Sequence, residues 1–196
     1  MRIGRILAPV HSLGPGERVC LWTKGCSKNC PGCISPELQN ASGPEADEVM
    51  LGNMLGQIAK GNNCNGLTIS GGDPFEQPEA LLKLLFSVRE KGYFEDILVY
   101  TGFTSEEIRE GAAGEAGKKC LELIDVLIDG RYVKELNTPD CVLRGSSNQK
   151  VIFLNEDENI KKSYEEYMKQ GRILQSFVHG KDTIITGIIN GGVRNG

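Results

Sequence analysis

Short β-type runs alternate with helical patterns along this chain, and that alternation limits the possible folds more than any other feature. The runs are Val19 to Thr23, Leu67 to Ser70, Ile97 to Thr101, Val126 to Asp129 and Val151 to Leu154, each beside a glycine or a polar turn. Strands separated by helices are too far apart in sequence for tight hairpins, so they are expected to lie parallel, joined by crossovers on the sheet faces. Between the first two runs, Ser42-Gly43-Pro44-Glu45 has the form of a capping box; Leu51, Met54, Leu55 and Ile58 follow at helical spacing, and Gly61 supplies a stop. A second helix carries Leu81, Leu82, Leu85 and Val88 on its apolar face, with Pro78 in its first turn and Gly92 at its end. Thr104 to Lys119 reads as helix interrupted by loop, because Gly111, Gly114 and Gly117 each cost about 1 kcal/mol relative to alanine. Asp157 to Gln170 reads as a surface helix whose Lys161, Lys162, Glu165 and Glu166 form a solvated face. Ile173 to Val178 and Thr183 to Ile189 then make a terminal hairpin across His179-Gly180-Lys181-Asp182, and the final GGVRNG is expected to fray.

The expected architecture is α/β, either an open parallel sheet or an incomplete (β/α) barrel with mostly parallel strands and a C-terminal hairpin. Ligand sites are expected at the C-terminal ends of the strands. Residues 1–155 form the core and 156–196 an extension of the same domain, in a chain of 196 residues that can bury roughly 70% of its unfolded surface. The 26 acidic and 22 basic residues are interspersed and sum to a net charge of −4, which gives no basic stripe for a phosphate backbone; direct nucleic-acid binding is not expected. MRIGRILAPVHSLGPG has no long apolar signal region and no stretch has the length of a membrane span, so a cytoplasmic, membrane-free protein is expected.

Residues 20 to 33, CLWTKGCSKNCPGC, hold four of the seven cysteines. In a reducing cytosol such a cluster points to metal ligation or redox chemistry rather than to disulfides, and an odd total fits poorly with a fully paired scaffold. Cys26, Cys30 and Cys33 follow the first β-type run with spacing C-x3-C-x2-C, close enough to converge on one iron–sulfur cluster. Three thiolates leave one iron of a 4Fe-4S cluster open unless Cys20 or a distant cysteine closes it. A structural zinc site built from Cys20, Cys26, Cys30 and Cys33 satisfies the same spacing. Gly71-Gly72-Asp73, Thr101-Gly102 and Asp129-Gly130 stand at three further strand ends, and each has a plain reading as a turn or helix cap. Cys20, Cys64, Cys120 and Cys141 read as small buried hydrophobes, Trp22 as core, and His11 and His179 as surface or loop residues.

The cysteine loop resembles that of the radical S-adenosylmethionine (SAM) enzymes, whose CxxxCxxC motif holds 4Fe-4S. Leu13 to Arg18, Ser70 to Pro74, Asp129-Gly130-Arg131 and Arg144 to Gln149 extend the resemblance to the glycyl radical activases within that family. The resemblance implies a barrel of the radical SAM type, Cys26, Cys30 and Cys33 as cluster ligands, and SAM on the open iron. It also implies that Gly71, Gly72 and Asp73 approach the methionine amino group, and that Thr101, Asp129, Gly130 and Arg131 approach the carboxylate or ribose. Gly32 occupies the place where many such loops carry an aromatic residue, so the adenine would be flanked by backbone at Gly32 and Cys33 or by Ile34. A flavodoxin-like protein would deliver one electron, SAM would be cleaved, and the 5′-deoxyadenosyl radical would take hydrogen from a glycine of a partner glycyl radical enzyme, for which anaerobic ribonucleoside-triphosphate reductase is the expected case. The alternatives are a radical SAM reaction on a small molecule or a peptide, and a non-enzymatic zinc or iron–sulfur module.

Overall fold

A computed structural model describes residues 1–180 and 182–189. Six strands form one sheet in chain order: β1 (Ile3–Val10), β2 (Arg18–Thr23), β3 (Gly66–Gly71), β4 (Asp96–Tyr100), β5 (Val126–Asp129) and β6 (Lys150–Phe153). β2 to β5 run parallel, while β1 and β6 pair antiparallel at the two edges. The crossovers carry α1 (Glu48–Asn62), α2 (Pro78–Lys91), α3 (Ser105–Arg109) and α4 (Gly114–Cys120). After β6 come α5 (Glu158–Lys169) and a separate antiparallel hairpin, β7 (Leu174–His179) and β8 (Asp182–Gly187). Lys181 of the expected turn and the terminal GGVRNG lie outside the described residues.

The five expected sheet strands are present, and three features differ from the sequence reading. β1 has no clear strand signal in the sequence, because Gly4, Arg5 and Pro9 interrupt its apolar pattern; at a sheet edge the missing proline N–H costs no ladder bond. β6 is antiparallel to β5 rather than parallel. The segment between them contains only a single 3-10 turn at Lys134–Leu136, with no helix to carry the chain back along a sheet face. α1 starts later than the Ser42 box implies: Asp47 is its N-cap, accepting from the Met50 amide at 2.9 Å, and left-handed Asn63 rather than Gly61 ends it. The 104–119 region does break, at Gly111, whose φ is +100°. α2 begins at Pro78 and stops at left-handed Gly92, as its sequence requires.

Alternate strand residues face opposite sides, and both sides are covered. Leu21, Ile69, Val99 and Leu127 pack on one face with Leu51 and Leu55 of α1 and Leu81, Leu85 and Val88 of α2; Cys64 and Cys120 are small members of this core. On the other face Leu98, Val126 and Ile128 meet Tyr164 and Tyr167 of α5. Cys20 and Trp22 pack there with Val10, Leu13 and Leu38, and the hairpin contributes Phe177. The hairpin is tied down by polar contacts: Ser12 and Thr186 share a hydroxyl hydrogen bond of 2.7 Å, and Gln175 accepts from the His11 amide at 3.0 Å and donates to the Pro9 carbonyl at 2.9 Å.

At the N-terminal end of the parallel strands sits a buried ion pair. Arg18, with a fully buried side chain, donates to both carboxylate oxygens of Asp96 at 2.9 and 2.7 Å, to the Thr68 hydroxyl at 2.6 Å and to the Leu67 carbonyl at 2.9 Å. Tyr164 of α5 donates its hydroxyl to Asp96. The chain's third layer is thus fastened to β2, β3 and β4 by one fully partnered charge network.

Candidate functional site

Because β2 to β5 are parallel, their C-terminal ends lie on one side of the sheet, and the segments leaving them converge on one cavity. Cys26, Cys30, Gly32, Cys33 and Ile34 enter it from the loop after β2. Ser70 and Gly71 end β3 with Gly72 and Asp73 just after it, Tyr100 ends β4 with Thr101 and Gly102 just after it, and Gly130 and Tyr132 follow β5. Two of the resemblance-implied residues stand elsewhere. Asp129 is buried and accepts from the Ser105 amide at 2.8 Å and the Lys150 amide at 3.2 Å, and Arg131 is exposed; neither lines the cavity.

The cysteine loop is seated on backbone. Gly25 donates to the Leu38 carbonyl at 2.8 Å and Cys26 to the Gln39 carbonyl at 3.0 Å, while Asp73 donates back to the Gly25 carbonyl at 2.8 Å. Gly72 donates to the Thr23 carbonyl at 2.9 Å, and a Cβ on it would collide with the carbonyl oxygens of Gly25 and Leu38. The glycine pair therefore lets two main-chain segments touch where the cysteine loop begins. A Gly72→Val substitution is expected to displace that loop, so the content of any cluster held by its cysteines should fall. Absorbance of anaerobically reconstituted protein checks this; an unchanged spectrum would reduce the pair to an ordinary turn.

Asp73 organises the cavity floor. Its carboxylate accepts from the Gly102 amide at 2.9 Å, the Thr101 hydroxyl at 2.9 Å and the Phe75 amide at 3.0 Å. Burial pushes its carboxyl up to about 6, against the opposing pull of these hydrogen bonds and of the Lys28 charge. Glu76, three residues on, accepts from the Ser27 hydroxyl at 2.5 Å, the Ser27 amide at 3.2 Å and the Lys28 ammonium at 3.2 Å. Desolvation works against its ionisation, and the Ser27 and Lys28 contacts outweigh that and hold its carboxyl below the usual range.

The three loop cysteines are half-buried. Burial raises the Cys26 thiol, with Asp73, Glu76 and Cys30 adding to the rise and the Lys28 amide opposing it. Among the described residues no three His, Cys, Asp or Glu side chains stand in a metal-holding arrangement; Cys26, Cys30 and Cys33 line the same cavity. That donor set suits an iron–sulfur cluster: three accessible thiols, a cavity beside them, and Gly32 at φ +75° turning the chain between the second and third. Cys20 lies within β2 at 1% exposure with its thiol pushed up to about 12 by burial, and it does not line this cavity. Among the described residues the four-thiolate zinc alternative thus finds no fourth cysteine in the lining.

Several lining residues have no site role assigned by the sequence. Trp22 is core, as expected, and also lines the cavity. Tyr132 stands beside Gly32, its ring carbon 3.6 Å from where a Cβ on Gly32 would sit, which brings an aromatic group to the place where the loop itself has none. Gln149 shapes the same edge by accepting from the Gly145 and Ser146 amides and donating to the Gly130 carbonyl. Ile184 and Ile185 of β8, with Ile188 just after it, add apolar side chains to the lining. Only long-range packing reveals these neighbours.

Residues 12–152 match the family model described as a 4Fe-4S single cluster domain. Similar relatives carry one name, anaerobic ribonucleoside-triphosphate reductase-activating protein. The relative from Escherichia coli (strain K12) is 33% identical over 145 residues, 72% of this chain and 91% of its own. Those from Haemophilus influenzae and Enterobacteria phage T4 are 34% identical over 140 residues (69% and 87%) and 32% identical over 146 residues (74% and 88%). The chain belongs to the 4Fe-4S single cluster domain family and, within it, to the anaerobic ribonucleoside-triphosphate reductase-activating proteins.

Proposed function

We propose that this chain is a radical SAM activase that generates a glycyl radical on an anaerobic ribonucleoside-triphosphate reductase. The observation that carries the reading is the convergence of the three loop cysteines with Gly71-Gly72-Asp73, Thr101 and Gly130 on one cavity at the C-terminal strand ends. The names of the relatives support the choice of partner. In this reading the six-stranded sheet is an incomplete barrel of the radical SAM type, residues 1–155 are its core, and 156–196 extend the same domain in a cytoplasmic protein.

Cys26, Cys30 and Cys33 would hold a 4Fe-4S cluster, and SAM would lie against Gly71, Gly72 and Thr101. When bound, the cluster supplies the electron, delivered by a flavodoxin-like donor, that cleaves the sulfonium C–S bond of SAM. The protein's share is positional. Asp73, fixed by Gly102, Thr101 and Phe75, holds the ends of β3 and β4 together beneath the cavity. Ile184 and Ile185 of β8 and Ile188 just after it add apolar side chains to the cavity lining. No general base is required, which agrees with the exposed position of His11. Anaerobic reconstitution with iron, sulfide, dithionite and SAM, scored for 5′-deoxyadenosine, tests the reading. Product in the wild type and none in Cys30→Ala is expected; a cluster-loaded protein that leaves SAM intact would refute it.

A further inference from the structure

Lys28 lies between the first two cluster cysteines, in a loop where a lysine would ordinarily reach into water. Its side chain is instead 7% exposed. The ammonium is 3.2 Å from Glu76 and 3.2 Å from the centroid of the Phe103 ring, and Lys28 lines the cavity beside Cys26 and Cys30. Glu76 adds two hydrogen bonds to Ser27, so carboxylate and ammonium are both locked against the Cys26–Cys30 segment. The Lys28 charge also acts on the Asp73 carboxylate, favouring its ionised form. A cation–π contact combined with an ion pair at low exposure holds a charge at a fixed place in a medium that screens it weakly.

We infer that Lys28 and Glu76 form a fixed charge pair that sets the reduction potential of the cluster held by Cys26, Cys30 and Cys33, the ammonium easing reduction and the carboxylate opposing it. The inference deepens the proposed function and rests on the cluster reading. On reduction the cluster gains one electron and one negative charge, and an external low-potential donor loses that electron. A neighbouring cation stabilises the more negative state and a neighbouring anion destabilises it, and charge near the cluster is one of the terms that sets such potentials. Neither residue is a ligand, so each can be changed with all three sulfurs in place. They are positioning residues for an electron.

The two charges carry opposite signs, and that separates an electrostatic role from a merely structural one. The midpoint potential of the reconstituted full-length chain, without SAM, is read by paramagnetic resonance along a redox titration. Lys28→Met is expected to lower it, Glu76→Gln to raise it, and Lys28→Arg to stay near the wild type. Shifts of the same sign in Lys28→Met and Glu76→Gln, or no shift in either, overturn the inference. If Lys28→Met fails to hold a cluster, Glu76→Gln decides alone, since its amide oxygen can still accept from Ser27: a rise supports the pair and anything else refutes it. A wild-type chain that takes up no cluster would instead overturn the reading beneath.

Discussion

Anaerobically reconstituted Cys26→Ala, Cys30→Ala and Cys33→Ala proteins are each expected to lose the visible absorbance and reduced-state resonance of a 4Fe-4S cluster, and with them all SAM cleavage. A cluster held by three thiolates has none to spare. The three cysteines line one cavity, and among the described residues no other cysteine does. Cys20→Ala is expected to keep cluster and activity, because Cys20 is a buried residue of β2. Its loss would be a packing effect, visible as a lower melting temperature. A spectrum that survives in any of the three loop variants, or vanishes in Cys20→Ala, would show that the ligand set is different.

The second large effect is on stability and arises at the opposite end of the strands. Asp96→Ala removes the only carboxylate bonded to the fully buried Arg18 among the described residues and leaves the Tyr164 hydroxyl without its acceptor. Breaking a buried pair in this way costs about 3–5 kcal/mol. At roughly 2–4 °C per kcal/mol for a domain of this size, the melting temperature should drop by on the order of 10 °C. The double replacement Arg18→Met with Asp96→Leu should cost less than Asp96→Ala alone, since no charge is then left unpaired. Thermal unfolding followed by circular dichroism checks both statements. An Asp96→Ala melting temperature equal to that of the wild type would mean that Arg18 finds other compensation.

The parts of this fold that are legible in the sequence are those set by local rules. β2 to β5 are runs of apolar residues bounded by glycine and polar turns, and α2 is bracketed by Pro78 and Gly92. The loop cysteines and the strand-end glycines could be placed on one rim once the strands were taken as parallel. What remained hidden depends on distant neighbours. β1 is a strand because β2 offers it an edge, and the pattern Gly4, Arg5, Pro9 carries little strand signal of its own. The direction of β6 follows from the absence of a crossover helix after β5, in a stretch whose helical content the sequence left unspecified. Lys28 and Tyr132 carry no motif, and each is placed by a partner far along the chain: Glu76 and Phe103 for the lysine, Gly32 and Gly145 for the tyrosine. Asp129 illustrates the reverse case. Its strand-end position suggests a ligand contact, yet its carboxylate is occupied by the amides of Ser105 and Lys150, the first at the start of α3 and the second at the start of β6.

In the proposed function the unpaired electron ends on a glycine of the partner reductase. The most direct measurement mixes the reconstituted chain with its intact cognate reductase, SAM and reductant under strict anaerobiosis, and records the paramagnetic resonance spectrum. A doublet from a glycyl radical on the reductase is expected, absent when the radical glycine of that partner is replaced by alanine. Formation of 5′-deoxyadenosine with an intact reductase present and no such doublet would contradict the assignment and point to a different hydrogen donor.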